Sequence, residues 1–255
     1  MRFNVLSDLH LRNGPFDAWD ELEHGERESS VMLLAGDIGN ACDPELFAFL
    51  ERLTACPRFS HVILVKGNHE AFGSTVRETD VTLMRFADRL PKLVYLNRGW
   101  FDVPGSDIRV AGCTLWTHVS PMQQSRVIAE VGDFTHIREW SLKKRHTEHE
   151  RDVDFIVDAM GSAVRDNKRV VLITHHAPIE HIGSGPAHQV GPYTSSFECD
   201  LTYMLVSPIV AVVFGHTHFS VDTTLANGVR CVSNQKGKVD DIHNTWYRPD
   251  FSFEI

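Results

Sequence analysis

Five short apolar runs rich in β-branched residues, each broken off by a polar residue able to ligate a metal, constrain this chain more than any other feature. Phe3–Leu6 leads to Asp8 and His10, Val31–Ala35 to Asp37, and Val62–Val65 to Asn68 and His69. Val170–Thr174 leads to His175 and His176, and Ile209–Phe214 to His216 and His218. Runs of this length suit strands covered on both faces. The carboxyl ends of such strands open into a crevice, so side chains far apart in sequence can meet there.

Between several of these runs the apolar spacing changes to that of a helix, at Leu46, Phe49, Leu50 and Leu53 and at Val153, Ile156, Met160 and Val164. The alternation reads as layered α/β. Weaker strands are predicted at Lys92–Leu96, Ile108–Ala111, Thr114–Thr117, Val221–Leu225 and Val229–Val232. The last two are joined by Asn227-Gly228, the signature of a two-residue hairpin and hence of an antiparallel edge. No repeat or linker divides the 255 residues, so 1–255 reads as a single domain. The Gly- and Pro-rich stretch Ile182–Pro192 reads as an irregular functional loop.

The charge balance excludes some functions and leaves others open. With 25 Lys and Arg against 34 Asp and Glu the net charge is -9, and no basic run is present. That argues against nucleic acid as a partner. It does not exclude a phosphate substrate, because bound cations would reverse the potential locally. Five cysteines without a C-x-x-C pair suit free thiols in a reducing compartment. No apolar run is long enough to span a bilayer, and Asp8 interrupts any signal-like stretch at the start. A cytoplasmic protein without a membrane partner is expected; oligomeric state is not legible.

The donor set points to metal chemistry. In Asp8-Leu9-His10 and His216-Thr217-His218 the paired residues stand two apart, so an extended backbone is expected to send both side chains to one side. Carboxylates, an amide oxygen and imidazoles together favour manganese, iron or zinc over calcium or magnesium. Burying so many polar side chains without partners would be costly, which argues against a purely structural role. His118, His136, His146, His149, His181 and His188 lack ligand spacing to one another and read as solvated or core-capping residues.

Taken together, Asp8-x-His10, Gly36-Asp37, Gly67-Asn68-His69-Glu70, His175-His176-Ala177-Pro178 and Gly215-His216-Thr217-His218 resemble the signature of the calcineurin-like metallophosphoesterases. The resemblance implies two mixed β-sheets packed as a sandwich and flanked by helices. It implies a dinuclear centre with Asp8, His10, Asp37 and His218 around one ion, and Asp37, Asn68, His175 and His216 around the other. Asp37 would bridge two cations roughly 3.5 to 4 Å apart. The family ligand resembles the histidine directly after the strand, which selects His175 and leaves His176 outside the metal shell. His69 would be a non-ligand acting as general acid or phosphoryl contact, and Asn68 and His69 would both touch substrate.

Protein Ser/Thr phosphatases of this superfamily carry Asp and then Arg where this chain has Asn40 and Ala41, so a phosphoprotein substrate is disfavoured. Thr114–Thr117, His175–Pro178 and the compact length are more similar to uncharacterised bacterial-type predicted phosphoesterases. The expectation is a hydrolase of a small-molecule phosphodiester or phosphomonoester. No arginine stands at the Ala41 position or within His175–Pro178, which favours the singly charged diester. An inactive phosphoesterase-like scaffold and a nuclease are the competing readings.

Overall fold

A computed structural model describes residues 1–24, 30–182, 191–238 and 246–255. Most of the predicted functional loop, including His188, lies outside the described residues. In chain order the strands are β1 (Arg2–Leu6), β2 (Ser30–Ala35), β3 (Phe59–Val65), β4 (Leu93–Leu96), β5 (Gly99–Asp102), β6 (Ile108–Cys113), β7 (Arg169–Thr174), β8 (Ile209–Val213), β9 (Val221–Thr224), β10 (Arg230–Ser233) and β11 (Ser252–Glu254). The helices are α1 (Trp19–His24), α2 (Pro44–Ala55), α3 (Val76–Ala87), α4 (Gln124–Glu130), α5 (Asp133–His136) and α6 (Leu142–Arg165).

The strands form two mixed sheets, ordered β11-β1-β2-β3-β4 and β5-β6-β7-β8-β10-β9. In the first, β1 to β4 run parallel and β11 is an antiparallel edge; in the second, β5 and β9 are antiparallel edges around a parallel centre. Alternation along each strand explains the layering. Val31, Leu33 and Ala35 of β2 face Val171, Ile173 and Val213 of the opposite sheet in one buried layer. Met32 and Leu34 point the other way, onto Leu46, Phe49, Leu50 and Leu53 of α2. On the far side, Leu172 and Val212 pack on Phe155, Ile156, Ala159 and Ala163 of α6.

Local chemistry sets the helix starts. Pro44 opens α2, and a capping box opens α3, where Thr75 Oγ1 accepts from Glu78 N–H and the Glu78 carboxylate accepts from Thr75 N–H. Ser141 caps α6 through Lys144 N–H. The predicted apolar stripe on α6 is displaced, because Val164 is exposed while Ala159 and Ala163 face the sheet.

Two expectations need correction. Thr114–Thr117 is not a strand, since its backbone is bonded by side chains instead of a neighbouring strand: Asp152 accepts from Trp116 N–H at 3.0 Å and Arg145 donates to the Thr117 carbonyl at 3.2 Å. The β9–β10 hairpin has three loop residues, Ala226-Asn227-Gly228, not two: Leu225 N–H donates to Val229 O, and Gly228 (φ 90) closes a turn onto Leu225 O. The short strands β5 and β11 were not legible, as neither carries a sustained apolar run.

Candidate functional site

The parallel strands β1, β2 and β3 end side by side, as do β7 and β8, and the following loops lie at one end of the sandwich. Backbone bonds tie them together: Asp8 N–H to Gly36 O and His10 N–H to Asp37 O, both at 3.0 Å, and Gly215 N–H to His175 O at 2.9 Å. Asp8, His10, Asp37, His216 and His218 all have left-handed backbones, with φ between 46° and 70°. That conformation is uncommon for side chains other than glycine and costs of order 1–3 kcal/mol at each position, so five instances in one place mark a functional centre. The finding corrects the extended geometry expected for the Asp8/His10 and His216/His218 pairs. They converge because each loop turns through left-handed residues just past its strand.

The donor atoms gather on a short path. His10 Nε2 lies 3.0 Å from His218 Nε2, which is 3.5 Å from Asp8 Oδ1. His175 Nε2 lies 3.0 Å from both Asn68 Oδ1 and His216 Nδ1, and 3.4 Å from Asp37 Oδ1. Asp8, His10 and His218 form one three-donor group, and Asp37, His175 and His216 another. Asp37 belongs also to a third group with His10 and His69, so it stands between the first two. All seven expected ligands are therefore brought together. His176 turns away, with Nδ1 toward Thr114 O and Nε2 toward Arg145.

The packing around these donors leaves no room to spare. A Cβ on Gly67 would collide with the Asp37 carboxylate, and one on Gly215 would sit 2.6 Å from Asp8 Oδ2. The buried Glu70 carboxylate accepts from the N–H groups of Asp37, Ile38, Gly39 and Gly67, locking the loops after β2 and β3 together. Asn68 is oriented by Asp133, whose carboxylate accepts from Asn68 Nδ2 at 2.6 Å and from Arg145 at 2.7 Å. That bond leaves Asn68 Oδ1 facing His175. Glu70 stood in a recognisable motif, but Asp133 and Arg145 carried no sequence signal, because the turn of chain that joins them to Asn68 exists only in the fold.

The electrostatics are those of a cation site. Burial disfavours a protonated His175, yet the Asp37 and Asp8 carboxylates outweigh it and raise its pKa to about 9. Burial alone would raise Asp37, but His175 and His69 hold its carboxyl well below the ordinary range. Burial pushes Asp8 up and pushes His10 down to about 3. The carboxylates thus favour positive charge at this point. Burial and the neighbouring Asp37 charge raise Glu70 to about 7.

His69 lies on the cleft side of the cluster. Its N–H donates to Asp37 Oδ1 at 2.8 Å, and its ring packs 4.2 Å from Phe72. The cleft beyond has a volume of about 520 Å³ and is walled by Phe72, His136, Tyr193, Phe197 and Lys238. An adjoining lobe of about 400 Å³ reaches Arg12 and Asn40. Neither Lys238 nor the wall formed by Phe72 and His136 was anticipated. His136 was read as solvated and is exposed, but it stacks on Phe72. His146 and His149 cap the core: His146 Nε2 accepts from Val119 N–H, and His149 Nδ1 lies 2.6 Å from Trp116 O.

Comparison with known proteins decides the family. Residues 1–220 match the calcineurin-like phosphoesterases. This chain belongs to the calcineurin-like phosphoesterase family. Uncharacterized protein L509 of Acanthamoeba polyphaga mimivirus is 23% identical over 266 residues, covering 94% of this chain and 92% of that protein. Phosphopantetheinyl hydrolase from Mycobacterium tuberculosis shares the fold with a TM-score of 0.65 and 19% identity, over 92% of this chain and 89% of its own. A dimetal phosphatase from Danio rerio does so with a TM-score of 0.56 and 14% identity, over 91% and 86%. As a calcineurin-like phosphoesterase the chain is a metal-dependent phosphoester hydrolase in general class, and divalent ions are implied at the donor cluster. Among the described residues no helix is long and apolar enough to cross a membrane.

Proposed function

We propose that this calcineurin-like phosphoesterase hydrolyses small-molecule phosphodiesters or phosphomonoesters with two divalent transition-metal ions, manganese, iron or zinc. Asp8, His10, Asp37 and His218 would hold one ion, and Asp37, Asn68, His175 and His216 the other. The observation that carries the reading is the convergence of seven donors, five of them buried, with Asp37 at their centre. Their chemistry fits the group: two carboxylates and an amide oxygen alternate with imidazoles whose nitrogens approach in pairs at 3.0 Å. Divalent ions bound there would lower the pKa of water and draw charge from the phosphoryl group.

The chain's own residues supply the rest. Glu70 fixes the loops that carry Asp37 and Asn68, and Asp133 fixes the Asn68 amide. His69 faces the cleft from a backbone anchored on Asp37, where it acts as hydrogen-bond or proton donor to a phosphoryl or leaving oxygen. Phe72 and His136 offer an apolar wall to the group beyond phosphorus. All five cysteines are free, in keeping with a reducing, cytoplasmic setting.

Arg12 and Lys238 bear on the choice of ester. Both border the lobe next to His69, so a dianionic monoester would find cations there that a diester does not need. The test compares kcat/KM for bis- and mono-p-nitrophenyl phosphate on metal-loaded protein, with and without Arg12→Ala. Diester hydrolysis is expected to be readily measured and little changed by the substitution. A strong monoester preference that collapses in Arg12→Ala would reverse the assignment. Protein stripped by a chelator is expected to be inactive and to recover with manganese; full activity in the stripped protein would overturn the proposed function.

A further inference from the structure

A second cavity, of about 1190 Å³, lies between α3 and the start of α6 and contains none of the donor residues. It has more than twice the volume of the cleft at the donor cluster. Its walls carry seven cationic side chains against four acidic ones, in a chain whose net charge is -9. The four acids are already engaged: Glu78 with Arg138, Glu139 with Lys144, Glu148 with Arg98 and Arg151, and Asp80 with Lys66. Arg77, Arg85 and Lys143 have no ion pair or side-chain hydrogen bond among the described residues.

We propose that this groove is a second anion site that binds a short polyphosphate chain, separately from the donor cleft. The arginines set the chemistry, since a guanidinium grips phosphate oxygens through two parallel bonds. Length sets the size of the ligand. Arg77 and Arg85 stand eight residues apart on α3, about 12 Å at 1.5 Å per residue, and Lys143 and Arg151 are spaced alike on α6. A polyanion much longer than these rows would outrun the cationic side chains that line the groove. The first turn of α6 holds Lys143 and Lys144 and no acidic residue, although the positive end of a helix dipole disfavours cations. A bound anion relieves that arrangement.

The groove and the cleft back onto one wall. Gly73 N–H donates to His136 O, and Arg138 N–H donates to Ser74 O, both at 2.8 Å. Phe72 and His136 line the cleft, while Thr75 and Arg138 line the groove. The two sites are therefore distinct but share the paired segments between them.

Inorganic tripolyphosphate and ATP would be titrated by calorimetry, without free divalent ions, into metal-loaded wild type, the metal-loaded triple variant R77Q/R85Q/K143Q, and Asp37→Asn, in which the donor cleft is expected to hold its ions weakly. We expect a groove event in wild type that persists in Asp37→Asn, where any binding at the donor cleft is weakened together with its ions, and that falls at least ~10-fold in the triple variant and strongly with salt. Hydrolysis of bis-p-nitrophenyl phosphate by the triple variant should be unchanged. Equal affinity for the two probes would assign recognition to the phosphate chain alone; tighter ATP binding would add the nucleoside. A groove event of unchanged affinity in the triple variant, its loss in Asp37→Asn, or binding only of single-stranded oligonucleotides would overturn the proposal. Should the triple variant not fold, Arg85→Gln alone is expected to weaken tripolyphosphate several-fold, and an unchanged affinity there would overturn it equally.

Discussion

At the scale of single residues, His69 and Asn68 sit next to each other but are held in different ways. His69 shares a donor group with His10 and Asp37, so geometry alone admits it as a ligand, whereas the proposed function makes it a proton or hydrogen-bond donor. Replacing His69 with Ala is expected to lower kcat by about 10²- to 10⁴-fold, the usual range for a positioned proton-transfer group, with metal content unchanged. Loss of metal, measured by elemental analysis, would make it a ligand instead. Asn68 depends on Asp133 for its orientation. Asp133→Asn is expected to weaken metal affinity by about 10- to 100-fold, the usual effect of losing an outer partner, as read by competition with a chromophoric chelator.

At the scale of elements, α6 connects the core to the site. Arg145 is fully buried and donates to Asp133, Thr117 and Ser196, so removing it strands a buried carboxylate. Arg145→Met is expected to cost about 3–5 kcal/mol in urea unfolding, and a second change, Asp133→Leu, should recover part of that loss. One turn on, burial holds the His149 pKa below its ordinary 6.5. Its neutral form therefore contributes stability that is present above pH 6.5 and lost as pH falls below it. Melting temperature should drop on acidification from pH 7 toward pH 5, and less steeply in His149→Gln. The sequence showed the central strands and the polar residues that gather at their ends because each such residue closely follows an apolar run, as His175 follows Thr174. It could not show Asp133, Arg145 or the cationic groove. Asp133 and Arg145 meet Asn68 only through tertiary packing, and Arg77, Arg85 and Lys143 come from separated segments with no run to betray them. The extended-strand reading of Asp8 and His10 failed because local left-handed turns, not strand periodicity, aim those side chains.

At the scale of the whole molecule, two sheets packed face to face bring five loops to one end, and those loops put a buried carboxylate between two sets of donors. The sandwich holds left-handed, strained backbone at Asp8, His10, Asp37, His216 and His218, which aims their side chains at one point. The proposed centre is dinuclear, with Asp37 serving both ions. The direct measurement is metal stoichiometry and affinity in wild type and Asp37→Ala, both loaded with manganese and passed through a desalting column. Two ions per chain are expected in the wild type and weakened binding of both in Asp37→Ala, where two cations would face each other without the shared carboxylate. Two tightly held ions in Asp37→Ala would contradict it.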